Sequence, residues 1–172
     1  AGAEPVEVAL RWTRHGPVPP PGGELDFSSV APPGHVVSLA WTALSPNDTS
    51  ASSVLALMRA GTVEEATAAG ERFVAPSQNW TLADRERIAM QMVGAQPRRS
   101  VRHQNQGRIP TPGWLPENRW QGTLPFASNP IFVDPQDGIV GTTNNKTVDR
   151  TSPLHAAHFW GYTHPAQHPQ RL

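Results

Sequence analysis

Cysteine is absent from all 172 residues, so neither a disulfide nor a thiol nucleophile figures in what this chain does. The absence leaves the compartment open, since exported proteins also do without it. Charge is sparse too. Charged residues make up 16% and the formal net charge is zero, which argues against a nucleic-acid or anionic-membrane surface driven by long-range attraction. No apolar run approaches the ~18 residues of a membrane span, and no signal peptide opens the chain. Apolar residues, at 37%, fall short of the roughly 45–50% (Gly included) usual in a compact globule. In their place stand 19 Pro and 14 Gly, which make much of the backbone extended or turning. The length suits one domain or a large piece of one. Because Ala1 opens on the approach to a strand, we expect residues 1–172 to be a single partial domain of a longer polypeptide.

Periodicity places the elements. Val6, Val8, Leu10 and Trp12 alternate with Glu7, Ala9, Arg11 and Thr13, the signature of a half-buried strand. Residues 19–34 are rich in Pro and Gly and read as a flexible surface loop. His35 to Leu44 resumes as a strand with Val37, Leu39 and Trp41 on one face. Asp48, Thr49 or Ser50 then caps a helix from about 51 to 60 that stops at Gly61. Thr62 with Glu65 forms a capping box for a second helix, whose stripe is Val63, Ala66, Ala69 and Phe73 and whose end is Pro76. The two make a helical hairpin over a sheet, with no basic face for DNA. Asn79 to Ala83 and Ile88 to Val93 flank Asp84-Arg85-Glu86-Arg87 as a β-hairpin. Regular structure nearly vanishes from Gly94 to Gln136, where Trp114, Trp120 and Phe126 serve as anchors for a long Pro/Trp-rich loop. The fold class is α+β.

The run from Asp137 to Lys146 carries the chemical signal. An apolar strand (Ile139, Val140) leaves an Asp-Gly turn and delivers two neutral amides, Asn144 and Asn145. Amides at a strand end are fixed dipoles that donate to a developing negative charge without titrating. The same pair also suits a plain turn, because Asn is a common turn former.

Several stretches then fall in order. Arg14-His15-Gly16-Pro17-Val18 is followed by Ala75-Pro76-Ser77-Gln78-Asn79-Trp80, Gly107-Arg108-Ile109-Pro110, Trp120-Gln121-Gly122, Leu124-Pro125-Phe126 and Asn129-Pro130. Asp134 to Val140 and Thr143-Asn144-Asn145 close the series. Over roughly residues 4 to 161 it resembles the middle of the β-subunit of the penicillin acylase (penicillin amidase) family of N-terminal nucleophile (Ntn) hydrolases. The resemblance implies a fragment of an αββα sandwich. It also implies hydrolysis of linear amides in penicillins, cephalosporins, acyl-homoserine lactones and related N-acyl compounds. The family's nucleophile is a serine at the start of the β-subunit whose own α-amine acts as base. That serine lies outside this chain, so the isolated fragment is expected to be inactive. Asn144 takes the side-chain place in the oxyanion hole, and Gln78 and Val54 fall at acyl-pocket positions. The partners implied are the α-subunit and the rest of the β-subunit of its own precursor, and the location implied is periplasmic or secreted.

The tail departs from the family. Proline follows Trp160-Gly161 by four residues where an arginine is usual, and residues 162–172 read as irregular. Leu154 and His155 stand where some members carry a calcium-binding aspartate, so no metal site carries over and no cofactor is expected. His155, His158, His164 and His168 lack regular spacing and acidic partners, and read better as a solvated tail than as a metal site. His15 reads as a strand-end residue with a local hydrogen bond rather than as an acid–base group. The sequons at Asn47, Asn79 and Asn145 matter only in a eukaryotic secretory setting. The rival to the hydrolase is a non-catalytic interaction module that binds a partner through its Trp/Pro-rich loop.

Overall fold

The computed structural model describes Glu7 and residues 9–142. Among the described residues there are three small antiparallel sheets, two α-helices and four short 3-10 turns. The central sheet is the one that organises the rest. Strands β3 (Gln78–Ala83) and β4 (Ile88–Val93) form a hairpin, and β7 (Ile131–Val133) joins the other edge of β4. The register pairs Gln78 with Val93, Ala83 with Ile88, and Ala89 with Val133. Asp84 makes the hairpin turn: its Oδ1 accepts from the backbone N–H groups of Glu86 and Arg87, each at 2.8 Å. Its Oδ2 accepts from Val63 N–H at 2.8 Å, so the turn also caps a helix.

That helix is α2 (Val63–Gly70), and its capping box forms in a modified way. Thr62 Oγ1 accepts from Glu65 N–H at 3.2 Å, while Glu65 Oε2 accepts from the N–H of Gly61, one residue before the cap, at 2.7 Å. The expected stripe of Val63, Ala66, Ala69 and Phe73 is buried. Val63 and Ala66 pack on Leu82 and Ala89 of the sheet, with Leu57, Trp80 and Val133 around them. Phe73 meets the Trp80 ring edge-on at 5.4 Å, a favoured aromatic geometry. Helix α1 (Ser50–Leu57) is shorter than expected and lies against α2. Ser53 is sealed between them and donates to Ala69 C=O at 2.6 Å.

Three expectations need correction. Residues 35–44 form no strand; only a 3-10 turn, Thr42–Leu44, is regular. This segment does run beside β2 (Gly16–Val18), with Leu39 N–H donating to Pro17 C=O at 2.8 Å. Pro17 has no N–H to return, so a ladder cannot continue. The close passage also explains Gly16, at φ 136: a Cβ there would lie 2.0 Å from Leu39 O. Leu10 and Trp12 are not half-buried, being 87% and 67% exposed; Trp12 lies in β1 (Arg11–Thr13), and Val6 and Val8 lie outside the described residues. Finally, the stretch 94–136 is more ordered than its prolines suggest. It contains β5 (Pro97–Arg99), β6 (Trp120–Thr123) and β7, strands too short for a periodic signal. Of the anchors, Trp120 and Phe126 are half-buried, while Trp114 is 59% exposed and meets the His35 ring at 4.9 Å. Residues 19–34 hold one 3-10 turn, Ser28–Val30. Among the described residues no helix is long and apolar enough to cross a membrane.

Arg87 closes the corner between layers. It pairs with Asp134, after β7, at 2.8 Å and with Glu64 of α2. Hydrogen bonds from backbone N–H groups hold the Asp84 and Asp134 carboxyls below their usual range, from Glu86 first for Asp84 and from Ile88 first for Asp134, which Arg87 reinforces. A carboxyl depressed on folding contributes stability that is complete above its unfolded value of about 3.9 and lost as pH falls through the folded one. Stability followed by acid titration should therefore decline as pH falls below about 4, and the Asp84→Asn/Asp134→Asn double variant should show a shallower acid limb.

Candidate active site

The long loop returns to the sheet through amides. Asn129 is buried and donates to Gly94 C=O at 3.0 Å. Gln91, fully buried in the middle of β4, donates to Met92 C=O at 2.6 Å and Pro130 C=O at 3.2 Å. Pro130 C=O also accepts from Met92 N–H at 2.9 Å. These contacts seat β7, after which Asp134 N–H bonds Ile88 C=O at the turn end of the sheet. Eight residues later the chain reaches the opposite end, where Asn79 Nδ2 donates to Thr142 Oγ1 at 3.2 Å. The Asp137-Gly138 turn forms, but Ile139 and Val140 do not form a strand, and Ile139 is 56% exposed.

The start of β3 is fixed from behind. Gly94, at φ 109, brings the end of β4 so close that a Cβ would lie 2.7 Å from Ser77 Cα. Gln96 Nε2 donates to Ser77 Oγ at 2.9 Å, and Ala95 N–H to Val74 C=O at 2.8 Å. Ser50, at the start of α1, accepts from Val74 and Ala75 N–H at 2.9 and 3.0 Å. A polar scaffold thus positions residues 74–79 while leaving the Gln78 side chain exposed.

The expected site residues are distributed as follows. Gln78 opens β3, next to the Asn79–Thr142 contact. Val54 is 40% exposed on α1, beside Leu55 and Met58, and the main packing partner of α1 is α2. Val54 thus sits on a helix and Gln78 at the head of a strand. Asn144 is two residues beyond Thr142 in sequence and lies outside the described residues, as do Leu154, His155, His158, His164 and His168. Among the described residues no group of three or more His, Asp or Glu could hold a metal ion. His15 bonds across the chain, not locally: its Nε2 lies 2.7 Å from Gly113 O, 98 residues away. Sequence reasoning placed Asn79 at the start of a strand, in a family motif and in a sequon, and gave its amide no role. Its signal was an amide at the head of a strand, facing a segment far away in the chain.

The model of the penicillin amidase family matches residues 1–172, and the chain belongs to that family. It is 29% identical to an acyl-homoserine lactone acylase, QuiP, of Pseudomonas syringae pv. tomato over 167 residues, which are 96% of this chain and 19% of that protein. It is 31% identical to the penicillin acylase 2 proenzyme of Pseudomonas sp. strain SE83 over 77 residues, 42% of this chain and 10% of that protein. The chain thus spans a fifth or less of the length of these relatives. The thermostable penicillin G acylase of Alcaligenes faecalis superposes on 99% of the chain with a TM-score of 0.74 at 21% identity, and 30% of that chain is covered. The fold is therefore part of the penicillin acylase fold, an Ntn-hydrolase fold, with the expected antiparallel strands and helical hairpin.

Two substitutions probe the scaffold. Asn79→Ala should cost about 1 kcal/mol through the lost bond to Thr142. Gly94→Ala should cost about 1–3 kcal/mol, because the backbone conformation and Ser77 both oppose a Cβ. Urea denaturation of the full-length protein measures both.

Proposed function

We propose that this chain is the central segment of the β-subunit of an amidohydrolase that cleaves linear amide bonds of N-acyl compounds. Residues 1–172 form one partial domain in this reading, with 19–34 a flexible loop and 162–172 an irregular tail. The attacking hydroxyl belongs to an N-terminal serine supplied by polypeptide outside this chain, and that serine's α-amine takes its proton. Formation of the tetrahedral intermediate is assisted by Asn144, whose carboxamide donates to the oxyanion as charge develops there. Gln78 and Val54 line the acyl site.

Family membership over the whole chain supports the reaction class. The observation that carries the site is the Asn79–Thr142 hydrogen bond, which holds the segment leading to Asn144 against the strand that begins with Gln78. Large apolar side chains at the surface (Leu10, Trp12, Trp41, Met58) fit burial against further subunit polypeptide rather than a free face. No observation favours the interaction-module alternative. The relatives matched over most of the chain are acyl-homoserine lactone acylases, so N-acyl-homoserine lactones are the first substrates to test, followed by penicillins.

In the full-length processed enzyme, Asn144→Ala should lower kcat by about 10²–10³-fold while leaving precursor cleavage intact. Steady-state hydrolysis of a long-chain N-acyl-homoserine lactone and of penicillin G reads this out, and unchanged kcat would remove Asn144 from the mechanism. The isolated 172-residue chain should show no turnover.

A further inference from the structure

The chain's charges balance overall but not locally. Between Arg98 and Arg119 five arginines stand against a single acid, Glu117. The ion pairs of Arg87 with Glu64 and Asp134 involve neither Arg98 nor Arg99. Arg98 is satisfied by the backbone, with Nε and Nη2 donating to Gln121 C=O at 3.0 and 2.6 Å. Arg99 is not. It ends β5 opposite Trp120 of β6, just past an irregularity in the pairing. Its guanidinium lies 5.8 Å from the centre of the Trp120 ring. From another side the Gly107 backbone presses so close that a Cβ would lie 2.9 Å from Nη2 and 3.1 Å from Nε. Nε is sealed from solvent and has no hydrogen-bond partner, whereas the Nη atoms are not among the sealed, unpaired groups. The stem and Nε are thus enclosed and the terminal fork stays available.

Such a placement is costly unless something uses it. Burial pushes the Arg99 pKa down. His103 is pushed down as well, by its own burial first and then by the Arg99 charge. A neutral His103 fits its surroundings, because its Nδ1 faces the N–H groups of Asn105 and Gln106 at 3.3 and 3.1 Å. The neighbourhood therefore adapts to an uncompensated positive charge rather than neutralising it. A guanidinium held in one pose by stacking, with its fork uncommitted, has already lost the freedom that binding would otherwise cost.

We propose that Arg99 is an anion-receiving residue whose two terminal nitrogens grip a carboxylate end-on. The planar fork of one guanidinium matches the two oxygens of a carboxylate. That carboxylate comes either from an Asp or Glu side chain of polypeptide outside the described residues or from a soluble carboxylic acid.

The sign of one substitution tests this. Arg99→Met keeps a long stem against Trp120 and removes the charge. Without an anionic partner, replacing a desolvated cation by an apolar side chain leaves stability unchanged or raises it; with a built-in carboxylate, it strands that group. Thermal unfolding of the full-length protein is measured with sodium acetate, sodium phosphate or sodium chloride at matched ionic strength. A midpoint lowered in Arg99→Met by about 2 °C or more, with no acetate response in either protein, supports a carboxylate within the polypeptide. A rise of the wild-type midpoint with acetate that Arg99→Met loses supports a soluble one. An unchanged or raised midpoint in Arg99→Met with no acetate response, an acetate response that survives the substitution, or a larger response to phosphate than to acetate would overturn the proposal. Should Arg99→Met not fold, Arg99→Lys decides. It keeps the charge but not the fork, so a midpoint or acetate response between wild type and none supports the assignment, and wild-type behaviour in both overturns it.

Discussion

Enclosure of β4 on both sides is the constraint from which the rest of this structure follows. Five of its six residues, Ala89 to Val93, are buried. One partner is the hairpin strand β3 and the other is β7, which arrives from a stretch dominated by proline. Burying a strand in this way demands that its polar groups be paired, since each unmet one costs about 1–3 kcal/mol. Gln91 meets that demand by reaching Met92 and Pro130 carbonyls, and Asn129 by taking Gly94. These amide contacts are what bind the irregular segment to the sheet.

For the proposed function, what matters is where that binding leaves the chain. With β7 seated and Asp134 fixed at the turn end by Ile88 and Arg87, the following eight residues bring Thr142 to Asn79 at the other end. The strand beginning with Gln78 is itself held by Ser77, Gln96 and Ser50. These contacts fix the chain as far as Thr142, two residues before the proposed oxyanion donor, and a dipole that must reorient during the reaction gives up much of its effect. The large apolar side chains at the surface belong to the same economy. A core this small suits a segment that is covered by more polypeptide.

Much of the architecture could be read from residues. The hairpin of β3 and β4 was legible because Asp84 is a strong turn former and the flanking runs alternate; α2 was legible because Thr62 and Glu65 announce its start. The order of short motifs ending at Asn144 pointed to the family that the whole-chain match shows. What escaped did so for physical reasons. Strands β5, β6 and β7 hold three or four residues each, too few for periodicity, and their pairing is set by contacts distant in sequence. The segment 35–44 has the alternation of a strand but lies against Pro17, which cannot complete a ladder. Nothing in the alternation marked Gln91 as the hydrogen-bonding link of a strand buried over five of its six residues. Asn79 gained its meaning only from Thr142, 63 residues away.

The proposed mechanism makes a geometric demand: the carboxamide of Asn144 must reach the oxygen that becomes charged when an amide is attacked. A crystal structure of the full-length processed protein with an alkylboronic acid on its N-terminal serine measures this directly. The Asn144 Nδ2 is expected within about 2.7–3.1 Å of a boronate oxygen. An Asn144 side chain turned away from the boronate, with another residue making that contact, would contradict it.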